Sequence, residues 1–377
     1  MKKLLIMASL FWPQKNSGGP PISIMNLVQS VKEHFDIYII SKNHEINEEK
    51  PLEGIKPGWN QFDFGKAFYT LKGEHGFRAI YRLIDEVKPD VIYQNSFFSV
   101  DDLLPVLCYK KKHKNVKVIV APRGELYPER VQVGKLKKTA YGKLFRYSGL
   151  LKDIYFQGTG QEECQQEKDF LGIPDDHLLN IQNLSIPAKK HYARLDKQPG
   201  VLRLVYVARI HPTKNTLKAI EWLSSLTGEV VYDIYGSIEN EMYWEQCKDA
   251  ISKLPENITV QHKGVIDHDQ VAATISRYHA YYMPTTGENF GHSIVEAMLM
   301  GKPVVISDQT PWTDVNSHGG YSFELKDEIG FVKALTELVE MDGDRYTLLS
   351  QKVEQYIQEK LNIDEIICQY VDAFNGE

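Results

Sequence analysis

The sequence predicts an α/β protein made of two doubly wound parallel-sheet domains. Short apolar, β-branched-rich runs alternate with stretches of helical period along the whole chain, the pattern of successive parallel βα units. The length of 377 residues exceeds one ordinary core and suits two domains of about 150–200 residues each. A basic, proline-flanked stretch without period, residues 187–200, divides the alternation as a linker. The expected boundaries are therefore 1–186 and 201–362, with a last helix at 363–377.

In the first half, residues 3–9, 36–41, 90–94, 117–121 and 153–157 read as strands. Residues 22–32, 76–87, 103–112, 135–150 and 161–170 read as helices between them. Residues 43–73 hold Pro51, Pro57 and several glycines and are expected to form a long excursion facing an acceptor. The opening Met1-Lys2-Lys3 before an apolar run suggests a leader peptide, but Trp12-Pro13-Gln14-Lys15 is no cleavage site, and a buried first strand is expected. Gly158-Thr159-Gly160 lacks a third glycine and reads as a turn. In the second half, strands are expected at 202–208, 230–235, 258–261, 280–283 and 303–306, with a short one near 321–323.

Charge is unevenly spread. Residues 1–190 carry 28 basic against 22 acidic side chains, and residues 191–377 carry 16 against 28. Residues 105–152 alone hold 13 Lys and Arg, with only Glu125 and Glu129 as acids. Within them, the helix at 135–150 is expected to pack Leu136, Tyr141, Leu144 and Phe145 on its domain. Its lysines would then form either a solvated basic face or one that meets an anionic membrane or a lipid-pyrophosphate acceptor. No aromatic stacking platform accompanies the charge, so nucleic acid is not an expected partner. Cys108, Cys164, Cys247 and Cys368 are scattered, which points to reduced thiols in a cytosol, with at most peripheral contact at the inner membrane face. No apolar run reaches the length of a membrane span.

The richest stretch is 284–314. Pro284 stops a strand, and a polar loop from Gly287 to Gly291 follows it. A helix from Ser293 to Met300, a C-cap at Gly301 and a strand from Pro303 complete the unit. The amides of Gly291, His292 and Ser293 would open that helix, a setting suited to phosphate. Glu288 and Glu296 flank it, and two carboxylates beside an anion site make sense when the ligand also carries hydroxyls. Upstream, Arg209-Ile210-His211-Pro212-Thr213-Lys214-Asn215 follows a strand. Arg209 can grip phosphate oxygens through two N–H groups, and Lys214 adds a point charge. Gly18-Gly19 lies between the first strand and first helix, where backbone can approach a ligand. Arg123, after another strand, could contact a phosphate or an acidic acceptor. Asp267-His268-Asp269 and Asp342-Gly343-Asp344 each precede a helix and are expected to cap it, so no metal site is expected.

This segment resembles the signature of retaining nucleotide-sugar glycosyltransferases of the GT-B fold, in particular glycosyltransferase family 4. Glu288 and Glu296 match the family's Glu-x7-Glu pattern, Glu296 to Val304 its Glu-Ala-Met-x-x-Gly-x-Pro-Val, and Arg209 to Asn215 its Arg-x4-Lys-Asn clamp. The resemblance implies two Rossmann-like domains facing across a cleft, with the last helix returning to the N-terminal domain.

It also implies sugar transfer, with retention, from a UDP- or GDP-sugar co-substrate to a glycan or lipid-linked acceptor, without a metal or other cofactor, in polysaccharide or glycoconjugate synthesis. Arg209, Lys214 and Glu288 would carry the chemistry. Gly18, Gly19, Gly236, Val265, Asn289, Phe290, Gly291, His292, Ser293 and Glu296 would hold the donor. Many members carry a histidine near the position of Arg123, so this chain departs from the pattern there. A GT-B sugar-nucleotide epimerase and a non-catalytic polyanion or membrane binder are the alternatives.

Overall fold

The computed structural model describes residues 1–14, 19–45, 50–132, 134–186 and 195–376. The chain divides into two compact units, Met1–Leu184 with Ile363–Glu377, and Ser185–Asn362.

The first unit runs β1 (Lys2–Met7), α1 (Gly19–Val31), β2 (Phe35–Lys42), β3 (Gly58–Phe62), β4 (Gly65–Thr70), α2 (Phe77–Val87), β5 (Val91–Asn95), α3 (Val100–Lys112) and β6 (Lys117–Ala121). It continues with α4 (Pro128–Gln132), α5 (Lys135–Ser148), β7 (Tyr155–Gly158), α6 (Gln161–Leu171) and β8 (Leu178–Asn180). The strands form one sheet in the order β3-β4-β2-β1-β5-β6-β7-β8. β1 shows why both faces are covered. Leu4 and Ile6 enter the core beside α1, while Leu5 and Met7 enter the opposite core with α2 and α3 residues. A segment buried on both sides must be apolar, and residues 4–7 are, while Lys2 and Lys3 stand at the less buried start of the strand.

The excursion at 43–73 is corrected here: its second half is a hairpin. β3 runs antiparallel to β4, which extends the sheet parallel to β2. Ala67 and Tyr69 are buried, while Trp59, on β3, packs edge-on against Tyr38 and Phe68. Gly65 has φ +139°, and a Cβ there would stand 2.3 Å from the Ile37 carbonyl oxygen, so no side chain fits.

The second unit runs β9 (Val201–Val207), α7 (Thr216–Glu221), β10 (Glu229–Tyr235), α8 (Glu241–Ser252), β11 (Ile258–Gly264) and α9 (His268–Ile275). Then follow β12 (Ala280–Met283), α10 (His292–Leu299), β13 (Val304–Ser307), β14 (Tyr321–Phe323), α11 (Glu328–Glu340) and α12 (Gly343–Leu361). Its sheet is wholly parallel, in the order β11-β10-β9-β12-β13-β14. Lys302, buried at the turn into β13, donates to the Ser276 carbonyl, tying that turn to the end of α9.

The chain ends in α13 (Ile363–Asn375), which belongs to the first unit. Ile366, Tyr370, Ala373 and Phe374 join the core that holds Leu4 and Ile6. Phe374 packs edge-on to Phe35 and against Tyr93, and the Lys2 ammonium donates to the Asn375 carbonyl.

Candidate functional site

In the second sheet the strand order reverses between β9 and β12: β10 and β11 lie on one side, β13 and β14 on the other. Open α/β sheets leave a ligand crevice outside the carboxyl ends of the strands at such a point. Three connections meet there, those after β9, β10 and β12.

The first and third are laced together at one carbonyl. Thr213 O accepts from the Thr286 amide at 2.8 Å and from the hydroxyls of Thr285 and Thr286, each at 3.0 Å. The next residue is thereby aimed at the 284–291 loop. The Lys214 ammonium donates to Glu288 Oε1. Both side chains are largely buried, 11 % and 17 % exposed. The structure thus joins two residues that the sequence places on separate motifs.

Glu288 is held at its backbone, whose amide donates to the Gln309 carbonyl at 2.9 Å. Two residues on, the Phe290 carbonyl accepts from the indole of the fully buried Trp312 at 2.6 Å. Phe290 stands edge-on between Trp312 and His292. Trp312 was not among the expected site residues; an indole reaching back to this loop has no signal in local spacing. Asn289 is partly exposed in the same loop.

Gly291 is the N-cap of α10, with φ +75° and no side-chain cap hydrogen bond. The α10 dipole therefore opens toward the loop that carries Glu288. Ser293 Oγ lies 2.7 Å from the Tyr281 hydroxyl, which fixes the helix start to β12. Glu296 sits one turn along α10 with 15 % of its side chain exposed. Burial pushes its carboxyl up to about 8. His268 Nδ1 lies 3.6 Å from it, and burial holds that imidazole below its ordinary value despite nearby Asp269.

The second connection brings an unforeseen carboxylate. Gly236 has φ +144°, and a Cβ there would come 1.9 Å from the Ala208 carbonyl oxygen. Only glycine allows the turn after β10 to lie this close to the exit of β9. Ile210 N then donates to Ser237 O at 2.8 Å, and Glu239 N to Ile210 O at 3.2 Å. This pairing sets Glu239 beside Arg209, with Oε1 and Nη1 2.6 Å apart. Val265, just past β11, is half exposed.

Other expected positions lie in the first unit. Gly18 falls outside the described residues, and Gly19 is the first residue of α1. Arg123, at φ +57°, gives three nitrogens to its own unit: to Asn95 Oδ1 at 3.1 Å, to the Tyr93 hydroxyl at 2.9 Å and to Asn183 Oδ1. It ties the ends of β5 and β6 to the segment after β8. The order reversal of this first sheet, between β1 and β5, is closed by a buried network. Asp102 accepts from Ser99 Oγ at 2.6 Å and from Ser9 Oγ, and lies 2.6 Å from His75 Nε2.

The capping expectation holds at one triplet and fails at the other. Asp342 accepts from the Arg345 amide at 2.8 Å, but Asp267 makes no side-chain cap to α9. Among the described residues no three His, Cys, Asp or Glu side chains are grouped to hold a metal ion.

Residues 189–359 match the family model described as Glycosyl transferases group 1. The chain carries a Glycosyl transferases group 1 domain. Among solved structures, sucrose-phosphate synthase from Thermosynechococcus elongatus is similar at a TM-score of 0.73 and 13 % identity, covering 100 % of this chain and 99 % of that one. HepE from Anabaena, in complex with UDP and glucose, is similar at a TM-score of 0.72 and 14 % identity, covering 100 % of both chains. These likenesses show the GT-B fold. A Klebsiella pneumoniae protein described as an uncharacterized 41.2 kDa protein in the cps region is 21 % identical over 323 residues, covering 80 % of this chain and 82 % of its own.

Proposed function

We propose that the protein is a retaining glycosyltransferase of family 4, using a nucleoside-diphosphate sugar as donor and a glycan or lipid-linked glycan as acceptor. The observation that carries this reading is the Lys214–Glu288 pair, set three residues before the α10 N-cap at the sheet's reversal point. The difficult step is departure of a nucleoside diphosphate while positive charge grows on the sugar ring. Arg209 and Lys214 supply two cations of different reach for the diphosphate, and the α10 N-terminus adds oriented amides. With that much fixed positive potential, the leaving group needs no divalent ion.

Glu288 holds sugar hydroxyls, and Glu296 accepts from the ribose hydroxyls. His292 and Ser293 line the phosphate end, while Gly236 and Val265 edge the nucleoside. No side chain is assigned as nucleophile, since a glycosidase-like pair of facing carboxylates has no counterpart among these residues. UDP is the favoured nucleotide, because HepE, of the same fold, is seen with UDP and glucose. The cps-region relative supports a role in polysaccharide synthesis.

A thermal-shift panel of UDP-, GDP- and ADP-sugars tests the donor, since a ligand that binds the folded state raises the midpoint. The anomeric configuration of the product, read by NMR, tests retention. A flat panel across all three nucleotides would overturn the reading.

A further inference from the structure

We propose that α5 is a membrane-contact helix, lying on an anionic lipid surface with Leu136, Leu144 and Tyr147 in the apolar boundary. The helix has two apolar faces rather than one. Phe145 is buried against Phe97, Tyr141 is partly buried beside it, and Gly142 packs where a Cβ would strike the Phe170 ring. On the other side Leu136 is 87 %, Leu144 66 % and Tyr147 79 % exposed. With exposed Ala140 they sit at i, i+4, i+8 and i+11, a single stripe down the outer face. The fold leaves this stripe uncovered although the inner face already satisfies the core.

Charge identifies the occupant. Residues 135–148 hold five cations and no acid. Lys138 and Arg146 are turned to their own unit, donating to the Arg130 carbonyl at 2.7 Å and the Asp169 carbonyl at 3.0 Å. Lys135, Lys137 and Lys143 are exposed, with Lys137 on one flank of the stripe and Lys135 and Lys143 on the other. An apolar stripe bordered on both sides by lysines suits a helix lying in the headgroup plane of anionic lipid. A second copy of the same face would bring like charges together. No helix among the described residues is long and apolar enough to cross a membrane, so this contact is of the surface kind. The inference stands apart from the proposed transfer reaction, whose donor residues lie in the other unit.

The test is flotation of the full chain with vesicles of phosphatidylcholine alone or mixed with phosphatidylglycerol, at low and high salt. The chain should float with the anionic vesicles only, and less at high salt. Changing Lys135, Lys137 and Lys143 together to Gln should weaken partitioning roughly 100-fold. L136Q with L144Q should weaken it by about tenfold or more even at low salt. Because these side chains are exposed, the melting midpoint and the UDP-induced thermal shift should stay as in the parent. Equal flotation with both vesicle types, or full binding by the leucine variant, would overturn the proposal. So would a concentration-dependent dimer in gel filtration that the leucine variant abolishes, since a second copy would then be the occupant.

Discussion

Lys214 and Glu288, 74 positions apart, form a direct ion pair inside the second unit. In the proposed reaction both would reach one ligand that is anionic at its diphosphate and hydroxylated at its sugar. A donor diphosphate would then compete with Glu288 for Lys214, and the carboxylate so released would turn to hydroxyls. Replacing Lys214 by Ala should lower turnover by roughly 10²–10³, the usual loss when one transition-state stabilising group is removed. Circular dichroism should show a folded protein. Parent-like turnover in that variant would remove Lys214 from the mechanism.

Glu239 and Arg209 make the second carboxylate–cation contact of the site, with side chains 31 % and 37 % exposed. A contact this open to water is weak, worth about 0.2–1 kcal/mol. If Glu239 competes with the diphosphate, Glu239→Gln should tighten UDP binding roughly 2- to 5-fold. Calorimetric titration measures this directly. Weaker binding by the variant would instead make Glu239 a support that orients Arg209.

The ribose contact proposed for Glu296 would give the donor affinity a pH dependence. Its carboxyl titrates at about 8 because it is buried. Ribose hydroxyls that donate to it favour the ionised form, so binding below that pH must release a proton. UDP affinity should therefore rise with pH up to about 8, by at most about tenfold per pH unit, then level off. Glu296→Gln should remove the slope. Titration in two buffers of different ionisation enthalpy counts the released proton, and a count of zero would contradict the role given to Glu296.

The sequence makes the centre of the second sheet legible because β12 and β13 are buried on both faces. Ala280–Met283 and residues 304–306 are fully buried, and each is an unbroken apolar run. The hairpin at β3 and β4 is hidden because Gly58-Trp59-Asn60-Gln61 has no strand pattern of its own and becomes a strand by pairing with β4. Helix α5 is legible as a helix but not in its facing, since Leu136 and Leu144 read as core residues until the backbone shows them outside. Glu239 could not have been found from local sequence. Its place beside Arg209 depends on a glycine turn against a neighbouring strand, a contact between segments 30 positions apart.

Glu167 predicts a stability slope in the first unit. It lies on α6, fully buried, and neither carboxyl oxygen has a hydrogen-bond partner among the described residues. Burial, with a smaller push from Glu163, raises it to about 9. The folded state therefore keeps a proton that the unfolded chain gives up near the ordinary glutamate value of about 4.3. A raised folded value means that the stabilisation is complete below the unfolded value and is lost as pH rises through the folded one. Unfolding free energy should fall between about pH 5 and about pH 9, with this group contributing at most about 1.4 kcal/mol per pH unit. Glu167→Gln keeps the shape without the charge, so it should flatten the slope and leave the variant better folded than the parent at alkaline pH. Urea unfolding across that range measures it. An unchanged slope in Glu167→Gln would mean that the folded chain admits water to this carboxyl and lets it ionise in place.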